Sequence, residues 1–191
     1  MELAPTVRRI VGPTILLHSG EYFDFEDAEG SIFDIFDIAR GLSHICRFAG
    51  QCSRFYSVAE HSVYVSQIVP AEYALAGLLH DAAEAFVGDM AKPLKIMCPD
   101  YQAIEKRIER VVLARFGLTL PLHPSVKEAD IVMLATEQRQ IMKNRDDWEY
   151  THGRQVADIA IQCLAPDDAF ALFVDRFSTL TPRSDRSPYA E

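Results

Sequence analysis

Cysteine is scarce and scattered: Cys46, Cys52, Cys98 and Cys163 are the only four in 191 residues. That number and spacing exclude the disulfide framework of a small secreted domain, and the expected state is reduced thiols in a cytoplasmic protein. Long apolar runs are also missing. No stretch of about 18 uncharged apolar residues occurs, so no membrane span is expected. The start, Met-Glu-Leu-Ala-Pro-Thr-Val-Arg-Arg, lacks the apolar core of an export signal. Basic charge is in deficit, with 19 Lys and Arg against 28 Asp and Glu and a net charge of −9. Such a balance gives no support to binding a nucleic acid polymer or an anionic membrane surface. A phosphate-bearing ligand would need a local cluster of positive groups. Internal repeats and low-complexity tracts are absent as well.

What is present is ordinary globular composition, 49% apolar and 25% charged residues, in a length suited to one domain. Residues 1–33 mix turn residues with short apolar runs at Thr14 to Leu17 and Tyr22 to Phe25, which predicts short strands or an irregular cap. From residue 34 to 180 the period is helical. Ile35, Ile38, Leu42 and Ile45 predict a first helix behind Asp34 and Asp37, ending near Gly50. Ser57-Val-Ala-Glu60 has capping-box spacing and predicts a helix running toward Pro70 with His61 in its first turn. Residues Ala71 to about Val87 read as the most apolar, central helix, stopped by Gly88. Pro99 opens the next helix and Gly117 closes it. Ser125-Val-Lys-Glu128 repeats the capping-box spacing and predicts a helix through Ile141 with Asp130 in its first turn. Two more helices are expected near 153–163 and from Pro166 to about Leu180, with Asn144 to Gly153 as a polar connection and 181–191 as a flexible tail. The fold class is all-α with a short irregular or β-containing N-terminal segment.

The chemistry is concentrated in the apolar segment around His80-Asp81, with Glu84 one helical turn beyond His80. Buried ionisable groups are costly unless paired or bound to a metal, and a packing helix has little reason to carry them. Imidazole and carboxylate groups supplied by separate helices, here His61, His80-Asp81 and Asp130, suit a divalent transition metal.

The ordered strings Arg47-Phe48, Glu60-His61-Ser62, His80-Asp81-Ala82-Ala83-Glu84, Gly88-Asp89, Pro93-Leu94-Lys95 and Lys127-Glu128-Ala129-Asp130 resemble the HD-domain metal-dependent phosphohydrolases. Within that superfamily they are similar to the 5′-deoxynucleotidase branch and its phage relatives that hydrolyse deoxynucleoside triphosphates. The resemblance covers about residues 34–142. It implies an HD-domain helical bundle, His61, His80, Asp81 and Asp130 as metal ligands, Glu84 in the acid/base role and Asp89 in support. It further implies Arg47, Lys95 and Lys127 as phosphate contacts, with Phe48 against the sugar where the related pattern commonly has an indole. The implied cofactor is Co²⁺, Mn²⁺ or Mg²⁺, with Zn²⁺ as an alternative. The implied substrate is a deoxynucleoside 5′-monophosphate, giving nucleoside and phosphate. A dATPase-like triphosphohydrolase and a non-catalytic nucleotide and metal sensor are the other readings. A homodimer or higher homo-oligomer is expected from the resemblance and from the stripe Phe170, Phe173 and Phe177.

Other residues read more simply. His44, Cys46 and Cys52 are expected in structural roles, since a helix would turn them to different faces. His18, His123 and His152 are expected to be solvated. Arg54, Phe55 and Tyr56 fit either the pocket mouth or packing, and Lys92 and Glu137 are candidates for the pocket rim only.

Overall fold

A computed structural model describes residues 10–144 and 146–181. The expected tail therefore lies outside the described residues except for Thr181, as do residues 1–9 of the N-terminal segment. Among the described residues, two antiparallel strands, β1 (Thr14–Leu16) and β2 (Tyr22–Asp24), precede eight α-helices. These are α1 (Ile35–His44), α2 (Val58–Ile68), α3 (Ala74–Leu79), α4 (Glu84–Val87), α5 (Lys92–Lys95), α6 (Pro99–Arg115), α7 (Pro124–Ile141) and α8 (Pro166–Leu180). The mostly helical chain has the architecture expected of an HD-domain fold. No described helix is long and apolar enough to cross a membrane.

The hairpin is tied into the main core. Phe23 is fully buried and stacks on Phe86 of α4 at 4.1 Å. Asp34 caps α1 by accepting from the Phe36 and Asp37 N–H groups, and Asp37 returns the bond to the Asp34 N–H. Asp37 also accepts from the Ser19 N–H at 2.9 Å, so one carboxylate joins the hairpin connection to the first helix. Arg115 of α6 donates to the Ser31 carbonyl and lies 4.7 Å over the Phe33 ring.

Helix α1 stops at His44, short of the expected Gly50. The chain then extends, because the Arg47 N–H donates to the Tyr56 carbonyl and the Val58 N–H to the Ile45 carbonyl. That bridge precludes helical bonds at the same groups. A single tight turn, Arg47–Gly50, follows, with Phe48 at φ 57° and Ala49 at φ 51°.

The most enclosed helix is α2, and not the segment 71–87. Every residue from Val58 to Ser66 is buried, because α1, α3, α7 and α8 all pack on it. Its two sides belong to two apolar clusters, with Val58, Ala59 and Val63 in one and Tyr64 and Val65 in the other. Gly77 allows α3 to approach closely: a Cβ there would lie 3.1 Å from the Ser66 Cα.

The continuous helix expected from Ala71 to Val87 is broken. After Leu79 the bonds run from Ala82 N–H to Leu79, Glu84 N–H to Asp81 and Ala85 N–H to Ala82, three residues back instead of four. At three residues per turn, Glu84 rotates away from the His80 face and comes into line with Asp81.

The helix expected near 153–163 does not form. Its N–H groups have better partners in side chains of α2 and α7. Glu60 accepts from the N–H groups of Gln162, Cys163 and Leu164 at 2.9, 3.0 and 2.8 Å. Gln140 brackets the same strap, donating to the Ile159 carbonyl and accepting from the Ile161 N–H. Ser57 does cap α2, but Glu60 is spent on the strap, so the reciprocal half of the expected capping box is absent.

At α7 the cap is His123, whose Nδ1 accepts from the Ser125 N–H; Asp130 consequently sits in the second turn. The aromatic stripe of α8 turns inward. Phe173 is fully buried, and Phe170 and Phe177 pack against the same core, so the stripe is not a free face for self-association.

Candidate functional site

Helix α2 presents His61 from the centre of the molecule, fully buried. Its Nδ1 lies 2.6 Å from Glu137 Oε1 of α7. The His80 Nδ1 lies 2.8 Å from the Gly77 carbonyl. A carbonyl or carboxylate oxygen can only accept, so each Nδ1 carries the hydrogen and each Nε2 is left with its lone pair.

Both Nε2 atoms point into one space. His61 Nε2 is 3.3 Å from Asp130 Oδ1 and 3.7 Å from Asp81 Oδ2, and His80 Nε2 is 3.2 Å from Asp81 Oδ2. The donor atoms of His61, His80 and Asp130 lie within 4.8 Å of one another. Neither buried Nε2 makes a hydrogen bond among the described residues, for the contacts lack the alignment one requires. Two imidazole lone pairs facing two carboxylates repel unless a cation lies between them. The residues present therefore fit a divalent ion, with two nitrogens and two carboxylates as donors. A proton is the alternative cation. Burial and Arg47 push His61 down, but Glu137 and Asp130 outweigh them and hold it up at about 9. Burial alone would raise Asp81 and Asp130; the facing histidines hold both below the ordinary carboxylate range.

Arg47 reaches this centre because the extended bridge before α2 turns its side chain inward. Its guanidinium is buried, with Nη2 3.2 Å from Glu137 Oε2 and Nη1 3.6 Å from Asp81 Oδ2. It also lies 5.4 Å over the Phe48 ring. Glu84 Oε1 is 3.7 Å from Lys95 Nζ, and its buried Oε2 has no hydrogen-bond partner among the described residues. Burial, then Asp81 and Asp89, push the Glu84 carboxyl well up, which favours its protonated form. Burial also raises Asp89, against the pull of Arg47. Tyr101 holds the turn after α4 by donating to the Gly88 carbonyl at 2.8 Å.

The structure thus gathers His61, His80, Asp81, Asp130 and Arg47 around one point. Glu84, Asp89 and Lys95 lie at its edge. Lys95 is half-committed to Glu105, at 2.6 Å. Lys127 is 71% exposed and bonds the outer oxygen of Asp130 at 2.7 Å, so it touches a candidate ligand and lines no enclosed pocket. Tyr56 is fully buried, and Arg54 is exposed and donates to the Gln162 carbonyl. His18, His123 and His152 are exposed, with His123 occupied as the α7 cap and His152 beside Asp147.

Glu137, expected only at the rim, is instead fully buried between His61 and Arg47. Burial would raise its carboxyl; the Arg47 and His61 charges outweigh that and lower it. A signal for it existed. Seven residues is nearly two turns of α-helix, so Glu137 shares the Asp130 face of α7.

Comparison with known proteins covers the same residues. A family profile described as 5′-deoxynucleotidase YfbR-like matches residues 42–150, which contain every group discussed at the centre. The uncharacterised protein YfdR of Escherichia coli (strain K12) is 41% identical over 165 residues, 85% of this chain and 93% of the relative. An uncharacterised protein of Rhodobacter capsulatus is 32% identical over 181 residues, 85% of this chain and 92% of its own. The family match, the helical bundle and the convergence of His61, His80, Asp81 and Asp130 agree, and the chain belongs to the YfbR-like 5′-deoxynucleotidase family of the HD superfamily.

Proposed function

We propose that the chain is a divalent-metal-dependent phosphohydrolase that releases inorganic phosphate from deoxynucleoside 5′-monophosphates. Family membership supports the nucleotidase-type hydrolase. The observation that carries the metal dependence is the pair of buried Nε2 lone pairs facing Asp81 and Asp130. His61, His80, Asp81 and Asp130 would hold the ion. A bound Co²⁺, Mn²⁺ or Mg²⁺ would acidify a water and neutralise charge on the phosphoryl oxygens.

Arg47 meets a phosphoryl oxygen with a guanidinium already aimed by Glu137 and Asp81. Glu84, beside Asp81 and kept dry, gives its proton to the departing 5′ oxygen. Asp89 and Lys95 tune that proton from either side, Asp89 favouring its retention and Lys95 its release. Phe48 offers a ring face to the sugar beneath Arg47. The supply of positive charge supports a monophosphate. Lys95 and Lys127 are paired with acids, Lys92 is exposed, and among the described residues Arg47 is the one basic side chain buried at the centre. Three phosphates would call for more. We also propose a cytoplasmic location and a homodimer, the latter supported by the family resemblance alone now that the α8 stripe is packed inward; sedimentation at micromolar concentration tests the dimer, and a monomer would refute it.

The deciding experiment is chromatography of products after metal-stripped protein is reloaded with Co²⁺, Mn²⁺ or Mg²⁺ and offered each dNMP, NMP and dNTP. Nucleoside plus phosphate from dNMPs is the expected result. Nucleoside plus triphosphate from a dNTP would replace this reading with a triphosphohydrolase, and binding without turnover would leave a sensor.

A further inference from the structure

Arg47 and Phe48 lie inside a short loop whose ends are two thiols. The Cys46 and Cys52 sulfurs are 3.8 Å apart, and both residues are part-exposed. The cysteines expected to diverge on a helix are brought together because α1 ends before them and the chain doubles back through the turn at Arg47–Gly50. Cys52 Sγ also reaches the carbonyls of Arg47 and Arg54, at 3.9 and 2.9 Å. Nothing in the proposed phosphohydrolase chemistry uses either sulfur.

We propose that Cys46 and Cys52 are a redox-active pair whose closure to a disulfide shifts the Arg47–Phe48 turn and weakens phosphate binding at the metal centre. The proposal rests on the reading of Arg47 as a phosphate contact. The two sulfurs must close to about 2.05 Å. Cys46 is held by its bridge to Ser57 and Cys52 by the neighbouring Ser53 N–H on the Ile141 carbonyl, so the movement falls on the intervening side of the loop. That side contains Phe48 and Ala49 in the left-handed region, where non-glycine residues are held under strain by their surroundings. Arg47 is the next residue back, and its hold on Glu137 and Asp81 depends on that backbone.

The oxidant is a peroxide. The Cys46 thiolate attacks one peroxide oxygen, giving a sulfenic acid and hydroxide. The Cys52 sulfur then attacks the oxidised sulfur, the S–S bond forms, and the sulfenic oxygen leaves as water with the Cys52 proton. In sum, two thiols and one hydrogen peroxide give one disulfide and two waters. Burial and the neighbouring Cys46 push the Cys52 thiol up to about 11, so Cys52 stays protonated and Cys46 is the first to meet peroxide; the 3.8 Å separation then brings Cys52 to the oxidised sulfur. Cys163 is electrostatically coupled to both and is the competing partner.

The test treats the full-length protein with hydrogen peroxide and reads three quantities. Intact mass and peptide mapping report which sulfurs are joined, free-thiol titration reports how many remain, and calorimetry with inorganic phosphate on Mn²⁺-loaded protein reports the site. The expected result is a Cys46–Cys52 link, two thiols lost of the four in the chain, and phosphate affinity down about tenfold, as for one charge-assisted hydrogen bond. Dithiothreitol restores both. Cys163→Ser keeps the link, whereas Cys52→Ser and Cys52→Ala lose it, leave Cys46 trappable by dimedone and hold phosphate affinity constant under peroxide. A link through Cys163, or no link, overturns the proposal, as does a Cys46–Cys52 link with unchanged phosphate affinity. If reduced protein binds no phosphate, the phosphohydrolase reading fails by itself, and the link is still read by mass.

Discussion

Glu60 and Glu137 are both fully buried carboxylates beside His61, yet their partners differ in kind. Glu60 faces away from the cleft and is met by dipoles: the Tyr64 hydroxyl at 2.9 Å and the backbone N–H groups of 162, 163 and 164. Glu137 faces the cleft and is met by the His61 ring at 2.6 Å and the Arg47 guanidinium at 3.2 Å. Burial makes both carboxylates costly to strip of partners, since an unpaired buried charge loses its hydration without return. The difference lies in what each one orders. Glu60 fastens a backbone strap that would otherwise have no secondary structure to satisfy it. Glu137 fixes the tautomer of one candidate ligand and the direction of one candidate phosphate contact, and so transmits its position to the reacting centre.

The largest expected effect falls on Glu84, whose Oε1 has only the longer contact to Lys95 at 3.7 Å and whose buried Oε2 has no hydrogen-bond partner among the described residues. Glu84→Gln should lower phosphate release by about 10² to 10⁴, with metal content unchanged on elemental analysis. Retained turnover would remove Glu84 from the acid role.

Next comes Glu60→Ala, which strands the strap's N–H groups and should destabilise the fold by on the order of 3–4 kcal/mol, at roughly 1–3 per unpaired group with partial relaxation. Urea unfolding followed by circular dichroism measures this. A loss below about 1 kcal/mol would mean that the strap finds other partners.

Glu137→Gln should show the opposite profile. Metal affinity falls by about 10 to 100-fold in equilibrium dialysis with Mn²⁺, while stability falls less than in Glu60→Ala. Equal profiles for the two variants would erase the distinction drawn between them. The smallest effect is expected of Lys127→Ala, whose exposed pair with Asp130 is worth at most about 1 kcal/mol. The substrate KM should change only a few-fold, and a change of a hundredfold or more would place Lys127 within an assembled pocket.

The elements legible in the sequence are those whose instructions are local. Asp34 with Asp37, Ser57, Pro99 and Pro166 start helices where they were expected to, and the two apolar runs before residue 30 pair as a hairpin. The candidate site residues stood out for a different reason. A histidine or acid amid Leu78, Leu79 and Ala82 is anomalous in any packing, and the order of those anomalies matched a known pattern. Glu137 was placed only at the rim, because the depth of a carboxylate on a long mixed helix is not visible until a neighbouring charge is known to face it. The cysteine pair was passed over because its faces were counted along a helix that ends at His44.

By itself, then, the sequence determined the helical class, the starts of most helices, the identity of the ionisable groups and the family. Tertiary structure decided where helices stop, because stopping depends on competitors for backbone hydrogen bonds supplied from far along the chain. Tyr56 ends the reach of α1, and Glu60 unwinds 162–164 across more than a hundred residues of sequence. Tertiary structure also decided the direction of each polar side chain. A three-residue turn brings Glu84 into line with Asp81, and Glu137 sets His61, since a buried charge takes its orientation from the partner that makes its burial tolerable.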